Sequence, residues 1–75
     1  MDINKFMFEL NETLYENSFY NIQLYYKYNE YNETYLIRII AKRDNSELYN
    51  RVYTVDKNWL DSITIDNILT SLIGV

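Results

Sequence analysis

Hydrophobic and polar positions change their period twice along this chain, which divides it into three parts. From Ile3 to Leu14 the apolar residues recur at three- and four-residue steps. Ile3, Phe6, Met7, Leu10 and Leu14 then fall on one narrow stripe of a helix. Asp2 stands just ahead of it and suits an N-cap, because its carboxylate accepts from free backbone N–H groups in the first turn. Lys5, Glu9, Glu12 and Glu16 take the opposite side, while Asn4, Phe8, Asn11 and Tyr15 share a flank. The acidic side reads either as a solvated helix face or as a row of carboxylates that imitates phosphates. Phe8 and Tyr15 either widen the core contact or make a docking edge.

After Asn17-Ser18 the period becomes two, which is the signature of strands. Tyr20, Ile22, Leu24, Tyr26 and Tyr28 point one way; Asn21, Gln23, Tyr25 and Lys27 point the other. A polar turn, Asn29 to Thr34, leads to a second strand. There Tyr35, Ile37, Ile39 and Ala41 continue the apolar face, and Leu36, Arg38, Ile40 and Lys42 form the other. Asp44-Asn45-Ser46-Glu47 signals a second hairpin, and a third strand runs on to Val55. With loops of even length, Val52 meets Ile39 in the core and Arg51, Tyr53 and Val55 face outward. A slip of one residue would bury Arg51, which is costly without a partner, so the even register is the expected one. Its outer face reads in rows Tyr25–Arg38–Tyr53, Gln23–Ile40–Arg51 and Asn21–Lys42–Tyr49, aromatic and basic together.

Helical spacing then returns. Asp56-Lys57-Asn58 turns the chain, Trp59 is expected to plug the end of the core, and Thr64 is a suitable N-cap. Ile65, Ile68, Leu69 and Leu72 form a stripe with Ile73 at its edge, Asp66 suits the first turn, and Gly74 suits the stop. The expected architecture is α+β: a three-stranded antiparallel meander with an N-terminal and a C-terminal helix packed on one face, in the order αβββα. Residues 1–75 form a single compact domain.

Composition narrows the chemistry. The chain has no cysteine and no histidine, so it has no thiol nucleophile, no thiolate metal ligand and no imidazole base. Its lone glycine, Gly74, cannot build a phosphate-cradling loop. The hydroxyls of Ser18, Ser46, Ser62 and Ser71 have no histidine to activate them, and no enzymatic activity is expected. The Asp44–Glu47 turn lacks the length and glycine of a calcium loop, so no metal and no cofactor are expected. No apolar run approaches the ~18 residues that span a bilayer. The opening Met1-Asp-Ile-Asn-Lys-Phe does not read as a signal peptide, and a cytoplasmic protein is expected.

The net charge of −4 is uneven. Residues 34–55 hold the bases Arg38, Lys42, Arg43 and Arg51 against Asp44 and Glu47, whereas both flanking parts are acidic. Three readings follow. In the first, the protein is an inhibitor that occludes a basic nucleic-acid groove on another protein. Glu9, Glu12, Glu16, Glu30, Glu33, Asp44 and Glu47 take the place of phosphates, and Tyr15, Tyr25 and Tyr31 add rigid contact area. In the second, the outer sheet face binds nucleic acid: bases stack beside Tyr25, Tyr49 and Tyr53, while Arg38, Lys42 and Arg51 hold phosphates. The overall negative charge opposes this. In the third, the open sheet face makes a homodimer.

The opening Met1-Asp-Ile-Asn-Lys-Phe-Met-Phe-Glu-Leu10, followed by a Tyr-rich three-strand meander and a final helix, resembles small phage-encoded anti-CRISPR proteins. The Met-x-Ile-Asn start before an amphipathic helix is similar to that of an inhibitor of the type II effector. The likeness covers about ten residues plus the general architecture. It implies a compact acidic α/β domain that blocks the DNA groove of an RNA-guided nuclease, in the cytoplasm of a host of a phage or mobile element.

Overall fold

A computed structural model describes residues 1–44 and 46–74. Helix α1 (Ile3–Glu16) leads into strands β1 (Phe19–Asn29), β2 (Thr34–Arg43) and β3 (Glu47–Asp56); a 3-10 turn (Lys57–Trp59) and helix α2 (Ser62–Ile73) follow. The sheet is antiparallel in the order β1-β2-β3, with both helices on one side. This is the αβββα meander that the periodicity predicts.

Helix α1 begins where the sequence places it. The Asp2 carboxylate accepts from the Lys5 N–H at 2.8 Å. Phe6, Leu10 and Leu14 are fully buried, with Ile3 and Met7 packed beside them. Asn17 and Ser18 end the helix: their N–H groups donate to the carbonyls of Leu14 and Tyr15, and Ser18 turns left-handed at φ 72°. Phe19, Ile37, Ile39, Ala41, Tyr49 and Val55 from the sheet face the helices, and Leu60 with Ile65, Ile68 and Leu72 of α2 complete the core.

Strand β1 carries an irregularity that its alternation hides. Phe19 pairs with Arg43 and Tyr20 with Lys42, but the next pair is Gln23 with Ile40, so β1 holds one residue more than β2 across this step. Asn21 absorbs it at φ 51°, a left-handed conformation that asparagine tolerates better than most side chains. The bulge reverses the sidedness of everything before it. Phe19 is therefore buried, and Tyr20, expected inside, stands on the outer face.

The β2–β3 register differs from the even one. Arg43 pairs with Glu47, leaving a loop of residues 44–46, and Ile39 faces Arg51 rather than Val52. Asp44 and Ser46 both have positive φ, and the Glu47 N–H closes the turn on the Asp44 carbonyl at 2.9 Å; Asn45 lies outside the described residues. The odd loop places Tyr49, Arg51, Tyr53 and Val55 on the covered side and Leu48, Asn50, Val52 and Thr54 outside. Burial explains the choice. Tyr49 and Val55 are buried, Tyr53 is partly so, and the Tyr49 ring meets Phe19 edge-on at 5.2 Å. Arg51 escapes the expected penalty because β3 is an edge strand, from which its side chain remains exposed to water.

At the far end, Trp59 does not plug the core: it is 66% exposed, and Leu60 is the buried residue there. The Met1 ammonium donates to the Leu60 carbonyl at 3.0 Å, tying the start of α1 to the segment that leads into α2. Asp61, not Thr64, caps α2, its carboxylate accepting from the Thr64 N–H at 2.8 Å. The helix therefore starts at Ser62, and Asp66 lies past its first turn. Gly74 ends it at φ 72° with its N–H on the Thr70 carbonyl.

The molecule measures 39 × 22 × 19 Å. The long axis follows from unequal rise: 11 extended residues of β1 span roughly 36 Å, and 14 helical residues of α1 only about 21 Å. The β1–β2 hairpin thus outruns the helix. Tyr26 and Tyr28, expected to be buried, lie on the helix side of the sheet yet are 46% and 38% exposed, and their rings pack on Tyr35 at 5.8 and 4.9 Å.

Candidate functional site

Two ends and one face of this elongated body carry the exposed chemistry. The first end is formed by the C-terminal turns of α1 and the β2–β3 turn. Arg43 joins them: its Nε donates to the Asn17 carbonyl at 3.1 Å, and its guanidinium lies 5.4 Å from the centre of the Phe19 ring. Glu12, Glu16, Asp44 and Glu47 are all exposed there. Asn11, Glu12, Tyr15 and Glu16 line a shallow groove of about 330 Å³. Tyr15 is 74% exposed, and Phe8, two turns back on the same flank, is 62% exposed. Neither ring widens the core contact; both stand in water on this flank. Glu9 stands further back along α1 and is half-buried.

The opposite end is the tip of the β1–β2 hairpin, with Glu30, Tyr31 and Glu33. Asn29 builds the turn: its side-chain oxygen accepts from the N–H groups of Tyr31 and Asn32 at 2.9 and 3.3 Å. Tyr31 is 97% exposed as a result. Glu33 is already engaged, since its Oε1 accepts from Lys57 Nζ at 2.8 Å. That bond, with the negative charge behind it, raises the Lys57 ammonium above its ordinary 10.5. Among the described residues this is the one ion pair within 4.0 Å, so Glu12, Glu16, Asp44 and Glu47 have no cationic partner at that distance. Nor do three or more of the described acidic side chains gather as a metal site.

The third surface is the side of the sheet away from the helices. Its rows read Tyr20–Lys42–Leu48, Gln23–Ile40–Asn50, Tyr25–Arg38–Val52 and Lys27–Leu36–Thr54. Leu48 is 61% exposed, and Tyr25, Leu36 and Val52 are about half exposed. Tyr25, Lys27, Leu36, Arg38, Ile40 and Val52 border a shallow depression of about 480 Å³, to which Tyr26 contributes from the edge. The four rows hold three cations and no acid; Asp56 lies beyond them in the row Asn29–Thr34–Asp56.

The structure therefore distributes the candidate residues. The ten proposed for a protein partner separate into Glu12, Tyr15, Glu16, Asp44 and Glu47 at one end, with Glu9 behind them, Glu30, Tyr31 and Glu33 at the other, and Tyr25 on the outer face. The aromatic and basic set for nucleic acid is divided by the register. Tyr25, Arg38 and Lys42 stay on the outer face; Tyr49, Arg51 and Tyr53 are on the covered side. Tyr49 is buried, and the Tyr53 hydroxyl donates to Ser71 Oγ at 3.1 Å. Where a second stacking ring was expected opposite Arg38, Val52 stands instead.

Sequence reasoning missed Leu48 and Val52 as surface residues. A signal was available: the odd positions of β3 carry Tyr49, Tyr53 and Val55, more apolar area than the even ones. Comparison with protein-family models, with curated proteins and with solved structures finds no match to this chain.

Proposed function

We propose that this protein is a small non-enzymatic inhibitor that occupies the basic nucleic-acid groove of another protein, such as an RNA-guided nuclease, in the cytoplasm of a host of a phage or mobile element. The observation that supports it is the mixed surface at the α1 and β2–β3 end. There Glu12 and Glu16 line a groove with the exposed Tyr15 ring, and Asp44 and Glu47 are exposed on the adjoining turn, none of the four within 4.0 Å of a described cation. Carboxylates beside an exposed ring suit the lysines and arginines of a protein groove, which hold phosphates in their normal work.

Inhibition is competitive occlusion. The carboxylates take the phosphate positions, Tyr15 supplies rigid contact area with few rotors to freeze, and α1, anchored on the core by Phe6, Leu10 and Leu14, holds Tyr15 with Glu12 and Glu16 in place. Long-range attraction to a basic groove speeds the encounter and weakens with salt.

The test is inhibition of a guide-loaded nuclease by the purified protein, read as cleavage of target DNA and as displacement of bound DNA. The expected result is dose-dependent loss of both, with Glu12→Lys/Glu16→Lys weakening it by about tenfold or more. Undiminished inhibition by that variant would move the contact away from this end. An absence of inhibition across basic nucleic-acid-handling proteins would reject the reading.

A further inference from the structure

We infer that the outer face of the sheet is the seat for helix α1 of a second copy of this chain. Both halves of the contact are present on one molecule. The seat is a strip of β2 in which Leu36, Arg38 and Ile40 alternate, flanked by Tyr25, Lys27 and Val52. The other half is the exposed flank of α1, where Phe8, Glu12 and Tyr15 fall within one narrow helical stripe beside Glu16.

The two surfaces have the same pattern with opposite charge: apolar, charged, apolar. Phe8 and Tyr15 are separated by about 10 Å along the helix axis. Leu36 and Ile40 are separated by roughly 13 Å along the strand. Glu12 lies between the first two and Arg38 between the second two, so a helix laid along β2 brings carboxylate to guanidinium while the flanking apolar side chains meet. Glu16, beside Tyr15 on α1, then lies toward Lys42, which follows Ile40 on β2 and adds to the electrostatic match.

Charge rules out the simpler pairing of two sheets face to face. Each outer face carries Lys27, Arg38 and Lys42 with no acid in the same rows, so a two-fold sandwich would oppose cations with cations. Nucleic acid is disfavoured by the overall charge of −4 and by the β2 and β3 part of the face, where Leu36, Ile40, Leu48 and Val52 offer no ring for a base and leave Tyr20 and Tyr25 on β1 as its only stacking surfaces. The contact with α1 is head-to-tail, because the seat and the helix flank are different surfaces of one copy. Each added copy leaves one of each free, so assembly continues past the dimer as a ring or an open stack.

This inference does not depend on the inhibitor reading, and its test contains no target protein. Sedimentation velocity of the pure full chain at protein concentrations up to ~1 mM is expected to show assemblies that grow with concentration beyond two copies. Arg38→Glu alone and Glu12→Lys alone each weaken association about tenfold or more. An equimolar mixture of the two restores it, because every helix–seat contact then again joins opposite charges. Both positions are exposed, and circular dichroism with thermal melting confirms that each variant is folded. A wild-type chain that stays monomeric at ~1 mM overturns the proposal, as does association that stops at a dimer or is indifferent to Glu12→Lys. Retention of a single-stranded oligonucleotide, lost in Arg38→Glu, by a protein that does not self-associate assigns the face to nucleic acid instead.

Discussion

Lys57 holds Glu33 twice: its backbone N–H donates to the Glu33 carbonyl at 3.0 Å, and its ammonium to the Glu33 carboxylate at 2.8 Å. Glu33 sits in the left-handed region at φ 54°, where a residue with a side chain is normally strained. The clamp joins the tip of the β1–β2 hairpin to the turn that leads into α2, two elements far apart in sequence. Lys57→Met is expected to speed amide exchange at Glu30–Thr34 while leaving exchange in α1 unchanged. The sign of the pH effect follows from the raised ammonium. Its contribution is complete below the ordinary 10.5 and is lost as pH rises through the higher folded value, so tip protection in the native protein should fall only in strong alkali.

Asp61 gives the opposite pH dependence. The Thr64 N–H bond holds its carboxyl below the usual range. The stabilisation is present above the ordinary carboxylate value and disappears as pH falls through the lowered one. Asp61→Ala should lower the melting temperature at neutral pH. Asp61→Asn keeps an acceptor for the Thr64 N–H and should flatten the acid limb of the melting curve. Equal acid sensitivity in the wild type and Asp61→Asn would remove the cap from the account.

The register of β3 is testable by stability. Tyr49 is buried against Phe19, and Tyr49→Ala should cost about 3 kcal/mol in chemical denaturation. Val52 is half exposed on the outer face, and Val52→Thr should change stability by less than about 0.5 kcal/mol. The even register predicts the reverse ranking.

The bulge is testable at Asn21, whose φ is 51°. Asn21→Val should destabilise by about 1 kcal/mol or more, because a β-branched side chain is strained in that conformation. Asn21→Gly, which adopts it freely, should be close to neutral. A similar penalty for both variants would mean that the backbone there is extended.

Much of the fold is legible from spacing alone, for a local reason. Phe6, Leu10 and Leu14 must share a side of any helix, and Ile37, Ile39 and Ala41 must share a side of any regular strand. Asp2 and Gly74 act within a turn of their own helix, so the chemistry of their immediate neighbourhood suffices. Asp61 was as legible as Thr64, and the choice between them depended on where the preceding 3-10 turn delivers the chain. Trp59 shows how far side-chain type can mislead: its hydrophobicity argues for the core, but Leu60, one residue on, takes the buried position.

The functional surfaces were less legible, because the parity of loops and bulges decides them. One extra residue in β1 moves Tyr20 out and Phe19 in; an odd loop after Arg43 puts Val52 rather than Tyr53 on the outer face. A strand's period of two carries each such step to the next irregularity, so a single residue's backbone reassigns a whole face. The sequence by itself determined the order of elements, the side of α1 that is buried and the acidity of its other side. Only the tertiary structure decided which tyrosines are surface and which are core, because that depends on the total area buried across strands rather than on any local pattern. It also decided that the acids of α1 share an end with Asp44 and Glu47, and that an apolar, cationic sheet face lies open on the other side.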